Sequence, residues 1–337
     1  MLTIKEVAQA ANVSVATVSR VLNHDKRVAL ETKERVLKVV KELDYTPSTL
    51  GRNLRVSATK KILVLLPSVL NQFFSSVMQG IEESVQARDY QVMMSTTRND
   101  SQIEQSYIEF LYNKSIDGII FFNSEQSPEK ITELSQKYPI TFCISSLEGA
   151  KTSAVTIDNV QAAYDAVASL IQAGHRKIAL VYEPDAAHGK LRGEGYRKAL
   201  KQFGLPIQPE YLQPCGASFD SGAEAGKRLM DLPNPPTAIF AISDVIAAGV
   251  VQQLLRLHKL PGRDVDVFGF DNTDISRMIT PTLSTIQQPG YLMGKLATEL
   301  LFEKMDDLSA PNKTIFVPHE LIFRETTRKS VEQEETK

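Results

Sequence analysis

What this sequence lacks removes several classes of function before any motif is considered. Its 337 positions hold no run of eighteen apolar residues, so nothing in it reads as a membrane-spanning helix. The N-terminus leads straight into a capped helical pattern, without the order of a secretory signal. The expectation is a cytoplasmic protein with no membrane partner. Cysteine is scarce. Cys143 and Cys215 stand alone, with no second Cys or His at ligand spacing, which argues against a zinc site and a disulfide framework. No GxxxxGK loop closed by Ser or Thr occurs, and no GxSxG elbow. The only GxG run, Gly193 to Gly195, falls in a predicted helix start rather than behind a strand. The histidines, His24, His175, His188, His258 and His319, are isolated from carboxylates and cysteines at any telling spacing. No catalytic group, metal or cofactor is expected.

Net charge is also small, at −2, but it is unevenly placed. The first 60 residues carry 11 Lys and Arg against 6 Asp and Glu, a balance of +5, which leaves 27 against 34, or −7, for the rest. A basic module on an acidic body suits phosphate binding at one end only.

The basic end has a definite pattern. Thr3 and Glu6 make a capping box, and Ile4, Val7, Ala8 and Ala11 recur at i, i+3, i+4 and i+7 as one apolar stripe. Asn12 tolerates the left-handed turn that ends a helix, Val13 plugs the gap, and Ser14 is a good N-cap for a second helix, VATVSRVL. Val18, Val21 and Leu22 of that helix point inward, leaving Val15, Ala16, Thr17, Ser19, Arg20 and Asn23 outside. Such a pair is a helix-turn-helix, whose second helix presents its N-terminal face to a major groove. A third helix, about Glu31 to Leu43, closes over the pair with Val36, Leu37, Val40 and Leu43, and Pro47 ends this head. The following stretch, 48 to 56, is short, polar and basic. By itself it reads as a linker, or as a helix formed only with support.

From Lys61 the texture changes. Short apolar runs at 62–67, 90–95, 118–122, 140–145 and 154–158 alternate with helical stretches such as 75–88 and 101–114, the mark of a parallel sheet buried on both faces. The same texture resumes at 177–183, 237–243 and 265–271, separated by helices near 159–173, 190–203, 220–231 and 244–258. Strand 283–288, a helix near 289–305 and a last run, 315–326, cross back between the two layers. The fold class is an all-α helix-turn-helix head plus an α/β body of two doubly wound parallel-sheet subdomains. The domains are 1–46, a hinge and linker 47–60, a first subdomain of 61–160 with 290–318, a second of 161–289 with 319–328, and a disordered tail 329–337. Ligands bind such sheets at the carboxyl ends of the strands. Here those loops hold SVLNQFF, Asp158 with Asn159, Ser243 with Asp244, and FDN at 270–272, groups suited to a small polar molecule.

Head, hinge and body together resemble the LacI/GalR family of transcription factors. The match rests on TIKEVAQAANVSVATVSRVLN, YTPSTLGRNL, VTIDNVQAAYDAV, GHRKIALV, PPTAIFAISD, GFDN and TIQQP in that order, from Thr3 to about Arg328. Within the family the body is similar to the catabolite control protein A branch. The resemblance implies a homodimer on a near-palindromic double-stranded DNA operator, acting as a repressor of carbohydrate or catabolic genes. It puts Arg20 on the O6 and N7 of a guanine, and Val15 and Ala16 at base-reading positions, where their apolar character suits thymine methyls. Thr3, Ser14, Thr17, Ser19 and Asn23 then meet phosphates. Arg52 joins the DNA contacts, the stretch 48–56 becomes a hinge helix, and Leu54 becomes a wedge in the minor groove. In the body the resemblance sets Phe73 and Phe74 against a ring, Arg192 on hydroxyls or an anionic group, and Asp271 on hydroxyls, with Asp158, Ser243 and Gln288 as further contacts. The effector implied is a sugar, a sugar phosphate or a nucleoside-like molecule, and phosphorylated HPr is a further partner of the catabolite-control branch. Two departures, Ala217 in place of an aromatic ring and Ser68 in place of Asp, imply a loose pocket. The competing readings are a solute-binding receptor without DNA function, opposed by the basic head, and a sugar-modifying enzyme, opposed by the absent catalytic constellation.

Overall fold

The computed structural model describes residues 3–22, 25, 27–45 and 58–328, in two compact units divided after Thr59. Asn23, Arg52, Leu54, the whole hinge stretch 48–56 and the tail 329–337 lie outside the described residues.

Among the described residues the first unit contains three helices, α1 (Ile4–Ala10), α2 (Val15–Leu22) and α3 (Leu30–Glu42). Glu6 accepts the Thr3 backbone N–H at 2.6 Å and its hydroxyl at 2.9 Å, which closes the capping box at the start of α1. Asn12 takes the left-handed conformation, φ 49°, and turns the chain between the helices. Arg35 of α3 donates to the Ala11 carbonyl at 3.1 Å, satisfying one of the orphan acceptors at the end of α1.

Val7, Ala8, Ala11, Val18, Val21, Val36 and Tyr45 form the core of the head, with Val39, Val40 and Leu43 packed against it. Leu37 does not join them. It is 40% exposed, because the inward stripe of α3 runs through 36, 39, 40 and 43, and position 37 sits one residue round the helix from it. Helix α3 ends with Leu43 as its C-cap, within a residue of the expected end. Asp44 adopts φ 45° just after Glu42, and Tyr45 folds back into the core.

The second unit is built on two parallel sheets. In the first lobe, strands β1 (Lys61–Leu66), β2 (Gln91–Thr96), β3 (Gly118–Phe121), β4 (Ile140–Ile144) and β5 (Ser153–Thr156) alternate with α4 (Phe73–Gln86), α5 (Ser101–Tyr112) and α6 (Pro128–Lys137). In the second, α7 (Asn159–Gln172), β6 (Ile178–Tyr182), α8 (Ala187–Gln202), β7 (Leu212–Pro214), α9 (Phe219–Met230), β8 (Ala238–Ala241), α10 (Asp244–Arg256), β9 (Asp266–Phe268) and α11 (Ile275–Met278) follow. The chain then crosses through β10 (Thr285–Gln287) to α12 (Gly290–Asp306), runs through β11 (Thr314–Phe316) and returns in β12 (Glu320–Ile322).

The strand orders are β11-β5-β4-β3-β1-β2 and β7-β6-β8-β9, every pairing parallel, while β10 and β12 pair antiparallel as a separate ribbon. The central strands are long apolar runs because helices cover both faces. Ile62 through Leu66 are at most 1% exposed.

The run 315–326 is therefore not one strand. Pro318, which has no N–H to give a ladder, separates β11, an edge of the six-stranded sheet, from β12, half of the ribbon. Helix α6 and the short edge strand β7 were not among the elements read from the sequence. Helix α8 begins at Ala187, so the Gly193–Gly195 run lies inside it. A Cβ at Gly195 would sit 2.2 Å from the Val160 carbonyl oxygen, so that glycine lets α8 touch the backbone of α7. No helix among the described residues is long and apolar enough to cross a membrane.

Both sheets reverse their strand order beside their first strand, at β1 and at β6. The loops at the carboxyl ends of β1, β6 and β8 thus open onto crevices at topological switch points, with the end of β9 next to that of β8.

Candidate functional sites

On the head, the outward face of α2 carries Ala16 and Arg20 exposed, with Thr17 and Ser19 half-buried. Ser14 caps the helix, its Oγ accepting the Thr17 N–H at 3.1 Å and meeting the Thr17 hydroxyl at 2.9 Å. Of these two hydroxyls, one proton closes the pair and the other is left for an acceptor. The Thr3 hydroxyl is already donated to Glu6. Arg27 takes the nearby Asp25 carboxylate in a 2.8 Å pair and, with its backbone N–H, lowers the Asp25 pKa to about 2. Asp25 is thereby engaged by Arg27, and Arg20 stays exposed. Val15 is only partly outward, being half-buried against the head's core, since its position on the first turn of α2 faces the packed interior as well as solvent.

In the body, Arg192, Asp271 and Gln288 come together although 79 and 17 positions separate them in sequence. Arg192 rises from α8, is 4% exposed, and donates from Nε to the Asn159 Oδ1 at 3.0 Å and from Nη1 to the Ile242 carbonyl. Its guanidinium lies 3.4 Å from the centroid of the Phe270 ring and 3.7 Å from the Asp271 carboxylate. Gln288 Nε2 donates to Asp271 Oδ1 at 2.7 Å, and Gln288 Oε1 is buried with no partner among the described residues. Asp271 itself stands at φ 111°, a left-handed backbone that side chains rarely adopt.

Burial governs the protonation of this cluster. It pushes Arg192 down to about 10, against the pull of Asp271, Glu183 and Asp244. It pushes Asp271 up, offset by Arg192, the Gln288 bond and Asn71 of the loop after β1. Asp244, 1% exposed and capped behind the cluster, is raised to about 7 by burial and by the Asp271 charge. The hydrogen bonds from Thr285 Oγ1 at 2.6 Å, the Thr273 N–H at 2.6 Å and Thr273 Oγ1 at 3.0 Å act the other way on Asp244.

The other candidates sit differently. Asp158 is exposed and caps α7 through the Gln161 N–H at 2.8 Å, and it is its neighbour Asn159 that reaches Arg192. Ser243 caps α10 and is next to the Ile242 carbonyl that Arg192 holds. Phe73 is 4% exposed and packs where α4 meets Gly290, whereas Phe74 is half-buried, with Phe122 edge-on at 5.3 Å. Asn159, Phe270, Asp244 and Asn71 belong to the strand-end loops read as suited to a small polar molecule, but not to the effector contacts that the resemblance implies. Strand-end position was the cue that reached all four.

Three histidines have a carboxylate partner that sequence spacing could not show. His188 faces Glu183 at 3.3 Å, His319 faces Asp165 at 2.9 Å, and His175 faces Asp266 at 3.0 Å. His175 also meets the Thr237 hydroxyl at 2.9 Å, but its Nε2 makes no hydrogen bond to Asp266, and it is 3% exposed and lies at the amino ends of the strands. Arg328 binds the same Asp266 from the C-terminal segment, through its N–H at 2.9 Å and Nε at 3.3 Å, so the chain staples that segment to the sheet. Cys143 is buried and Cys215 half-buried, both as free thiols. Burial holds the Cys215 thiol up at about 11 and the Cys143 thiol higher still.

Comparison with known proteins accounts for both halves. The family profile "Bacterial regulatory proteins, lacI family" matches residues 3–48, and "Periplasmic binding protein-like domain" matches residues 167–327. The HTH-type transcriptional repressor CytR of Escherichia coli K12 is 34% identical over 330 residues, covering 97% of this chain and 96% of that protein. Catabolite control protein A of Priestia megaterium is also 34% identical over 330 residues, covering 97% and 99%. The fold matches a crystal structure of the lac repressor dimer bound to operator and the anti-inducer ONPF, with a TM-score of 0.85, 24% identity, and coverage of 97% and 99%. The resemblance thus spans head and body together, and the chain belongs to the LacI family of bacterial transcriptional regulators.

Proposed function

We propose that the protein is a cytoplasmic, homodimeric repressor of carbohydrate or catabolic genes. In this reading a neutral, hydroxyl-rich effector at Arg192, Asp271 and Gln288 sets its affinity for a near-palindromic operator. The observation that carries the reading is the buried Arg192–Asp271–Gln288 cluster with one unpartnered acceptor, Gln288 Oε1. A buried acceptor without a donor is costly, and a ligand hydroxyl supplies one. Charge decides between the effector classes. Arg192 is the one guanidinium of the cluster, and Asp271, Glu183 and Asp244 all act on it. A phosphate dianion entering here meets a cation already compensated by Asp271, with Glu183 beyond it, so a neutral sugar or nucleoside is favoured over a sugar phosphate.

On the head, exposure supports Arg20 and Ala16 as base readers and Ser14 with Thr17 as phosphate contacts, while Val15 contributes less than its outward neighbours. Dimerisation is supported by the first lobe, where a groove of about 340 Å³ is lined by Val69, Phe74, Met78 and Met94. Val69, Leu70 and Met94 are 59, 85 and 51% exposed, an apolar surface that a second copy would cover.

Two titrations test the proposal. Anisotropy of a near-palindromic duplex at two salt concentrations is expected to give specific binding with a steep salt slope. Thermal shift with neutral sugars and ribonucleosides, beside their phosphorylated forms, is expected to favour the neutral set. Absence of specific binding at low salt overturns the DNA reading. Preference for the phosphorylated forms, or a response only to phosphorylated HPr, overturns the effector reading.

A further inference from the structure

Three segments join the two lobes of the body: residues 157–158 between β5 and α7, 288–289 between β10 and α12, and 317–319 between β11 and β12. One side chain on the cleft loop holds the chain beside two of them. Asn272 Nδ2 donates to Gln287 Oε1 of β10 at 2.8 Å, and Asn272 Oδ1 accepts from Arg324 Nη2, just after β12, at 2.7 Å. Ser276 Oγ adds a bond to the same oxygen at 3.2 Å, and Arg324 Nη1 is anchored on the Leu283 carbonyl at 2.7 Å.

The backbone is laced in the same direction. The Asp271 N–H donates to the Ile286 carbonyl at 2.8 Å, and the Asn272 N–H to Thr285 Oγ1 at 3.3 Å. Asp271 and Asn272 hold consecutive left-handed conformations, φ 111° and 52°. Two such residues in a row persist only where surrounding bonds over-determine them. On the facing side Gln287 ends β10 and Gln288 follows it, and successive residues along an extended segment point to opposite sides. Asp271 and Gln288 accordingly meet each other at the cluster, at 2.7 Å, while Asn272 and Gln287 meet each other behind it, at 2.8 Å.

We propose that Asn272 is a positioning residue that couples occupancy of the Asp271 cluster to the hinge between the lobes, by tying the Asp271 loop to both β10 and the segment after β12. The inference rests on reading the Arg192–Asp271 cluster as the effector site. A ligand that draws on Asp271 shifts a loop whose next residue holds Gln287, directly before the 288–289 connection, and Arg324, just beyond the strand β12 into which the 317–319 connection runs, so the lobe angle and the loop move together. The residue touches neither ligand nor DNA, and its effect is on their coupling.

The test uses the full chain with spin labels at Glu133→Cys in α6 and Glu224→Cys in α9, both exposed positions, in a Cys215→Ser background. Pulsed electron spin resonance reads the inter-lobe distance, with and without the panel of neutral sugars and ribonucleosides. Asn272→Gly keeps the left-handed backbone without a side chain, so it folds where Ala would add strain. Asn272→Asp keeps the acceptor for Arg324 and loses the donor for Gln287. The expected result is a wider unliganded distribution and loss of the ligand-induced shift in Asn272→Gly, an intermediate effect in Asn272→Asp, and ligand affinity near wild type in both. A distribution and shift unchanged in Asn272→Gly overturn the inference. A wild-type distance that no member of the panel moves overturns the effector reading instead, and the unliganded width of Asn272→Gly still decides the role of Asn272.

Discussion

Asp271→Asn removes one charge from the cleft and almost none of its shape. The amide oxygen still accepts the Gln288 bond, but Arg192, 4% exposed, loses its carboxylate. Stranding one member of a buried ion pair costs about 3–5 kcal/mol. Here the approach is 3.7 Å rather than a direct hydrogen bond, and Asn159, the Ile242 carbonyl and the Phe270 ring still hold the guanidinium. The low end, about 3 kcal/mol, is therefore expected. For domains of a few hundred residues each kcal/mol moves the melting temperature by about 2–4 °C, so the body should melt about 6–12 °C lower. Arg192→Met with Asp271→Asn removes both charges and should recover much of that loss, because no desolvated charge is left to satisfy. Urea unfolding of the full chain, following the body transition in the wild type, both single variants and the double variant, measures the coupling. A coupling above about 1 kcal/mol is expected. Additive losses, or an Asp271→Asn protein as stable as the wild type, refute the view that this pair is held together by its charges.

Further outcomes follow from other parts of the molecule. Asp244 has a folded pKa of about 7, above its ordinary value, so the folded state holds the proton that the unfolded state gives up. Its stabilising contribution is full below the unfolded carboxylate range and is lost as pH rises through about 7. Wild type measured against Asp244→Asn should thus lose stability by a few kcal/mol between about pH 4 and pH 7, and a flat difference across that window counts against a neutral Asp244. Gly294→Ala would place a Cβ 2.1 Å from the Val77 carbonyl oxygen, forcing α12 off α4. A loss of at least about 1–3 kcal/mol in thermal unfolding is expected, and tolerance of the methyl would mean the helices are not in backbone contact. Arg20→Ala should weaken binding at one base pair by about 1–3 kcal/mol and leave random DNA bound almost as before. Leu54→Ala should likewise spare non-specific binding, and equal losses on operator and random duplexes would remove the wedge role.

The fold was legible where the sequence pattern is periodic and long. Buried strands such as Lys61–Leu66 and Ala238–Ala241 are nearly continuous apolar runs, and all but one of the helices between them exceed ten residues. Helix α6 went unread although Ser127 caps it, accepting the Lys130 N–H at 3.3 Å, and Pro128 stands in its first turn. Its charged face dilutes the apolar stripe of Ile131 and Leu134. Strand β7 has three residues at a sheet edge, too short for any period. Pro318 was a visible break inside 315–326, and only the pairing partners of the two halves give it meaning. In the cleft, the family resemblance singled out Arg192, Asp271 and Gln288. The choice between Asp158 and Asn159 depended on which neighbour caps the helix and which points along it, and a sequence carries no such direction. Leu37 and Val15 differ from expectation for the same reason. Both lie near the edge of an apolar stripe, where about 100° of rotation decides between core and solvent.

The central claim is that one cleft and one DNA-reading head share a single free energy of coupling. Isothermal titration of the wild-type protein with its selected neutral ligand, in the presence and absence of operator duplex, can be set beside operator anisotropy with and without that ligand. The account predicts that the ligand changes operator affinity by about 5–150-fold, and that operator changes ligand affinity by the same factor. A ligand that binds the cleft with identical affinity in both states, leaving the operator dissociation constant unmoved, would contradict it.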